Sequence, residues 1–245
     1  MSLRLYNGFL ADYLQHIDAF MYLLRQNTNF RRWKASRVGF MCCSYTQHVT
    51  AQYTILEKDR RTYKPDSIFR SYGKGELPPD GRTNQVWGLD VDRIYVSVNI
   101  NNKHWISLCI SFQARTVEVI DCANKKYSRI VEAFANLIPR ILKAVQSPQN
   151  AKPLKISPYA VTYVKVPGGL NKRQCRHCGP YALKYIECHV LELSLAVLDG
   201  QNIISARFKI MGDMLKATHD PIFINSMSKY VPPTAHTDPT VVTIN

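Results

Sequence analysis

The sequence predicts a mixed sheet flanked by helices, in an α+β or α/β arrangement. Three observations point there. Apolar residues recur at helical spacing near both ends of the chain, three short strands, the first of them alternating, fill residues 94–120, and one more strand follows the helix after them. Residues 9–25 place Leu10, Leu14, Ile17, Met21 and Leu24 on one face, so the first element is a core-facing helix. Polar and basic residues fill 27–37, and the apolar patch at 38–45 is too short to assign. Gly73, Gly75, Pro78, Pro79 and Gly81 punctuate the polar stretch 46–85, which reads as a mobile surface excursion.

Order resumes at Val86. Ile94, Val96 and Val98 alternate in a first strand, 99–103 supply a turn, 105–112 form a mostly apolar strand, and 116–120 form a third that ends at Asp121. Ile130, Phe134, Leu137, Ile141 and Val145 mark an amphipathic helix in which Pro139 predicts a kink or break near Ile138. Pro148 and Pro153 close it, 159–166 read as a strand, and Gly168-Gly169 begin the loop leading to a buried helix at 181–193. A further periodic helix spans 203–217. The Pro- and Thr-rich residues 231–245 are expected to fray, which leaves 1–230 as one domain with its core at about 86–220.

Composition limits the function classes. An apolar fraction of 46% over 245 residues supports a sizeable core, and no apolar run reaches the ~18 uncharged residues of a membrane span. No membrane partner is expected. The residues after Met1 do not resemble a secretory signal, so the expected setting is intracellular, nuclear or cytoplasmic. Seven scattered cysteines do not suggest a disulfide framework, and most are expected to be buried and reduced. The formal charge of +14 favours an acidic partner: nucleic acid, an anionic surface or an acidic protein. Arg31, Arg32, Lys34 and Arg37 form one basic cluster, whose ordinary reading is a solvated face.

The stretch with the most chemistry is Gln174-Cys175-Arg176-His177-Cys178-Gly179-Pro180-Tyr181. Cys178 stands where a helix begins, and the N–H groups and dipole of a helix N-terminus favour a thiolate. Gly179 beside it lets a substrate approach the backbone closely. A cysteine nucleophile needs a histidine to hold the proton and often a third group to orient it. His104 precedes the second strand of the meander and Asp121 follows the third, so pairing those strands as a hairpin brings the two residues together. Alone, each has a plainer reading: a surface turn residue, a turn former and a buried thiol. Their combination is what points to catalysis. Cys175-x-x-Cys178 also suggests a redox pair or, with His177, half a zinc site. No second Cys/His pair has zinc spacing, since Cys42 and Cys43 are adjacent, and a redox fold would need a βαβ context near its N-terminus. Neither a metal nor a cofactor is therefore expected.

The runs Val91-Asp92-Arg93-Ile94-Tyr95-Val96, His104-Trp105, Val117-Glu118-Val119-Ile120-Asp121-Cys122 and Cys178-Gly179-Pro180-Tyr181-Ala182-Leu183-Lys184-Tyr185-Ile186-Glu187 together resemble the ubiquitin-like-protein-specific proteases. These are the SUMO-protease type of papain-like cysteine peptidase. The resemblance covers roughly 9–230 and is closest to the divergent, transposon-associated branch found in plants. It implies an α+β papain-like fold, with Cys178 as nucleophile, His104 as general base and acid, and Asp121 as the orienter of the imidazole. The substrates implied are a SUMO-like ubiquitin-like modifier and its lysine conjugates, cleaved after a Gly-Gly tail through a thioester. Trp105 matches the aromatic that covers the diglycine, with core packing as its plainer reading. Phe9 and Asp12, in Phe9-Leu10-Ala11-Asp12, match a Trp-Leu-x-Asp segment that supplies a second aromatic lid. In three places the chain departs from the family pattern, the first being Phe9 in place of that tryptophan. His177 stands where an acid usually precedes the nucleophile, and Lys172 stands six residues before the cysteine, where an oxyanion-hole glutamine is usual. Gln174 is the nearest glutamine able to take that role. Two alternatives use the same features: a catalytically weakened domain that binds a ubiquitin-like protein or nucleic acid, and a Cys-dependent acetyltransferase.

Overall fold

The computed structural model describes residues 3–78, 82–146, 156–166 and 177–228, with side chains described between residues 14 and 225. Its centre is a five-stranded sheet, in the order β1 (Val38–Met41), β2 (Arg93–Ile100), β3 (His104–Ser111), β4 (Thr116–Ile120) and β5 (Ala160–Val164). The inner pairs β2–β3 and β3–β4 are antiparallel and the outer pairs are parallel, so the sheet is mixed. The meander follows from its turns. Asn101 and Asn102 both adopt positive φ, a conformation asparagine tolerates, and turn β2 tightly back into β3. His104 is therefore the first residue of β3, paired with Ile100, and not part of the turn.

The strands divide their side chains between two helical layers with a period of two. Ile94, Val96, Val98, Ile106, Leu108, Ile110, Val117 and Val119 face a core built with α2 (Cys43–Lys58), α3 (Ser67–Gly73) and α4 (Ser128–Val145). Tyr95, Trp105, Cys109 and Ile120 face the other core, built with α1 (Leu3–Asn29), α5 (Cys178–Val190) and α6 (Ile203–Ala217). A short 3-10 turn, Leu195–Val197, and α7 (Pro221–Ser228) complete this second side. Among the described residues no helix is long and apolar enough to cross a membrane.

Two expectations need correction. The stretch 46–85 holds most of α2 and all of α3, and it packs into the core through Val49, Tyr53, Leu56, Phe69 and Tyr72. Both helices are capped by aspartates. Asp66 accepts from the N–H of Phe69 at 2.9 Å, whereas the start of α2 is capped from α1, Asp18 accepting from the Cys43 N–H at 2.7 Å. Helix α4 also runs unbroken through Pro139. Proline cannot donate to the carbonyl of Ala135 one turn back, but the N–H of Tyr159, just before β5, fills that place at 3.0 Å. The freed carbonyl thus becomes an attachment for the next strand. Pro148, Pro153, Gly168, Gly169 and the tail at 231–245 lie outside the described residues.

Candidate active site

The meander brings His104 and Asp121 together as the hairpin expectation required. His104 opens β3, Asp121 follows β4, and His104 Nε2 lies 2.5 Å from Asp121 Oδ1. The carboxylate is held from three directions. Oδ1 also accepts from the Ala123 N–H at 3.0 Å and Oδ2 accepts from the Lys125 N–H at 2.9 Å, so the turn after β4 wraps around the acid. The imidazole stacks on Tyr127, with ring centroids 5.9 Å apart and planes inclined by 26°. Tyr127 has no motif to reveal it in the sequence; the turn Asp121-Cys122-Ala123-Asn124 carries an Asx-turn signal that could have shown the carboxylate being fixed.

Cys178 is the first residue of α5, 7% exposed, and hydrogen-bonded to His104. Among the described residues the N-cap His177 makes no side-chain hydrogen bond to this helix, whose N-terminal N–H groups and dipole favour an anion. Pro180, in the first turn, has no N–H to leave unsatisfied there. Gly179 is buried beside the thiol. Helix α5 lies along β3, where Ser107 Oγ donates to the Ala182 carbonyl at 2.6 Å in the interior. That bond holds the register of the helix that begins at Cys178 against the strand that carries His104.

The charges follow from this packing. Burial disfavours a charged ring at His104, but the hydrogen bonds to Asp121 and Cys178 outweigh it and push the imidazole pKa up from 6.5 to about 10. Burial also works against the Asp121 carboxylate, yet the bond from His104 and the two backbone N–H groups hold its pKa below the ordinary 3.8. At neutral pH an imidazolium faces a carboxylate, with a proton available beside the sulfur. The donor atoms of His104, Asp121 and Cys122 also lie within 4.8 Å of one another, but Asp121 is 2% exposed and both of its oxygens are already committed, to His104 and to two backbone N–H groups.

The remaining expected site residues divide into two groups. Trp105 is 5% exposed and belongs to the same core as Cys178 and Tyr181, which suits both of its readings. Phe9 and Asp12 lie on α1, but their side chains, like all of Lys172, Gln174 and Cys175, fall outside the described residues. His177 directly precedes α5, and its Nδ1 is buried with no hydrogen-bond partner among the described residues.

Comparison with solved structures finds the same fold. A SUMO protease Ulp1 with its catalytic cysteine oxidized to a sulfonic acid superposes with a TM-score of 0.56 at 16% identity, covering 84% of this chain and 78% of that one. The sulfenic acid form of that protease gives 0.53 at 16% identity, covering 84% and 77%. The C-terminal Ulp1 protease domain in complex with Smt3, the yeast ortholog of SUMO, gives 0.50 at 14% identity over 84% and 76%. At such identities the likeness establishes the fold alone. A sequence comparison with curated proteins yields no match. The family model for the Ulp1 protease family, C-terminal catalytic domain, matches residues 13–222, and the chain therefore belongs to the Ulp1 protease family.

Proposed function

We propose that this Ulp1-family cysteine protease cleaves after the Gly-Gly C-terminus of a SUMO-like ubiquitin-like modifier, releasing it from lysine conjugates or from a C-terminal extension. The observation that carries the reading is the Cys178–His104–Asp121 chain, assembled from a helix N-terminus, the start of one strand and the end of the next. In this mechanism His104 already holds the proton given up by the Cys178 thiol, and the Cys178 sulfur attacks the carbonyl carbon of the terminal glycine. The oxyanion that forms is met by the Cys178 backbone N–H at the head of α5 and by a side-chain donor, Gln174 or Lys172. The C–N bond then breaks, with His104 giving its proton to the departing lysine amine and leaving a thioester. Water, deprotonated by His104, hydrolyses the thioester and restores the thiol. Asp121 keeps the ring oriented throughout and stabilises its charged form.

Trp105 and Phe9 are assigned to cover the diglycine, Asp12 to position the segment that carries Phe9, and Gly179 to admit the substrate backbone. A side chain in place of either glycine would not fit so narrow a passage. The motif runs support placement with the divergent, transposon-associated branch found in plants. The setting is nuclear or cytoplasmic, wherever the modifier's conjugates occur.

A nucleic-acid reading has one observation in its favour. Arg31, Arg32, Lys34, Arg37 and Arg82 line an open cavity of about 960 Å³ with Trp33. Two of those cations already have acidic partners, Arg32 with Asp220 at 2.5 Å and Arg37 with Asp92 at 2.6 Å, which lowers what the cluster offers a phosphate backbone.

The deciding experiment uses electrophilic probes at the C-termini of several ubiquitin-like proteins, applied to the native chain and to Cys178→Ala. The expected result is an adduct with one modifier that is absent from the variant. Steeply salt-dependent DNA binding without labelling would favour the nucleic-acid reading, and Cys178-dependent acetylation from acetyl-coenzyme A would displace the protease mechanism.

A further inference from the structure

A second cluster of cysteine, histidine and acid lies at the far end of α5. Tyr95 on β2, Cys109 on β3 and Glu118 on β4 are successive cross-strand partners, so their side chains form one row across the face covered by α5. His189, in the last turn of α5, descends onto that row. Its Nε2 lies 3.1 Å from Glu118 Oε2, and its Nδ1 lies 2.9 Å from the Tyr95 hydroxyl. The donor atoms of Cys109, Glu118 and His189 all fall within 4.8 Å of one another.

This arrangement has the features of a prepared cation site. A tetrahedral Zn2+ with its usual bond lengths to sulfur, imidazole and carboxylate has donor-to-donor edges of about 3.4–3.6 Å. The three donors lie within 4.8 Å of one another, so side-chain rotation has to close at most about 1.4 Å on any edge. Each comes from a different element, and two are set by strand register, so their separation does not depend on a loop. Metal-bound histidines normally hold their second nitrogen in a hydrogen bond, and the Tyr95 hydroxyl supplies one. The location also allows entry: Cys109 is 2% exposed, while the side chains of Glu118 and His189 are 37% and 24% exposed.

We propose that Cys109, Glu118 and His189 form a divalent-cation site, with Zn2+ the metal its S, N, O donor set fits, that ties the helix carrying Cys178 to the central sheet. Binding releases one proton. The Cys109 S–H bond breaks as the S–Zn bond forms, and the proton leaves to solvent. The proton that His189 Nε2 shares with Glu118 in the metal-free protein moves to Nδ1, where it is donated to the Tyr95 oxygen, and the Nε2 lone pair turns to the metal. Thiolate and carboxylate then balance the two positive charges, with a fourth position open to water. The ion would join β3, β4 and α5 at the end of the helix opposite Cys178. Sequence spacing does not show this set, because the donors stand at 109, 118 and 189 and not in paired Cys/His motifs.

The test is titration of the full chain with CoCl2 in a Cys178→Ala background, where the nucleophile offers no sulfur. One equivalent should give a sulfur-to-cobalt charge-transfer band with tetrahedral visible bands, and ZnCl2 should displace both. Cys109→Ser should lose the charge-transfer band, while His189→Gln and Glu118→Gln should each weaken Co2+ binding at least tenfold. Should Cys109→Ser not fold, the two variants at the solvent edge decide the matter. Absence of saturable uptake, a charge-transfer band at full strength in Cys109→Ser, or unchanged affinity in His189→Gln would each overturn the proposal.

Discussion

The two ends of α5 use the same residue types for different purposes. At its N-terminus Cys178 meets His104 and Asp121; near its C-terminus His189 meets Cys109 and Glu118. The first acid is 2% exposed, takes three hydrogen bonds and holds its histidine at 2.5 Å, whereas the second is 37% exposed at its side chain and lies 3.1 Å from its histidine. The cysteines differ in the same sense. Cys178 sits at the positive end of a helix beside an imidazolium, while Cys109 lies inside a strand, where burial pushes its thiol pKa up to about 12. Residue type is thus shared, and backbone context separates the proposed nucleophile from the proposed metal donor.

Removal of the nucleophile tests the contrast most severely. Cys178→Ala should lower cleavage of a ubiquitin-like conjugate by at least about 10³-fold and abolish its electrophile adduct. In the native protein Cys109 should stay unmodified by iodoacetamide under conditions that label Cys178, as read by peptide mass spectrometry. Asp121→Asn comes next, with kcat/KM expected to fall by about 10²–10⁴-fold as the imidazole loses its orienting charge. A variant that keeps near-native kcat/KM would remove Asp121 from the mechanism.

Stability should carry the same signature in its pH dependence. The His104 pKa of about 10 lies above the unfolded value of 6.5, so the folded state binds this proton more tightly. The stabilisation is complete below about pH 6.5 and is lost as pH rises through 10. Thermal unfolding midpoints should therefore decline across that window, and the decline should flatten in Asp121→Asn. Between the two ends of the helix, Ser107→Ala removes the buried bond to the Ala182 carbonyl and should cost about 1 kcal/mol in urea unfolding. Glu118→Gln, at the more exposed pair, should change the metal-free stability by less than about 1 kcal/mol. A larger loss there than at Ser107 would show that the two ends differ less in burial energetics than their exposures indicate.

Much of this molecule was legible from local pattern. Helical spacing marked α1, α4 and α6 and alternation marked β2, because a half-buried element writes its period into the sequence, while apolar runs marked α5 and β3, which are more deeply buried, and a short strand ending at Asp121 marked β4. The hairpin argument then brought His104 to Asp121, since a short connection leaves little freedom in where the outer ends fall. Helices α2 and α3 were hidden because much of their buried surface is tyrosine and threonine among polar neighbours, and because the cap of α2 comes from Asp18 on another helix. Pro139 misled for a related reason: the N–H that occupies the Ala135 carbonyl arrives from Tyr159, twenty residues downstream of the proline.

Short-range chemistry therefore identified the elements and the Cys178, His104 and Asp121 set, because helix ends and hairpins are properties of neighbouring residues. Packing alone established the stacking of Tyr127 on His104, the Ser107 anchor and the meeting of Cys109, Glu118 and His189. Those contacts join elements far apart in the chain, and their separation is set by strand register and by the seating of α5 on β3. No local period records such a distance.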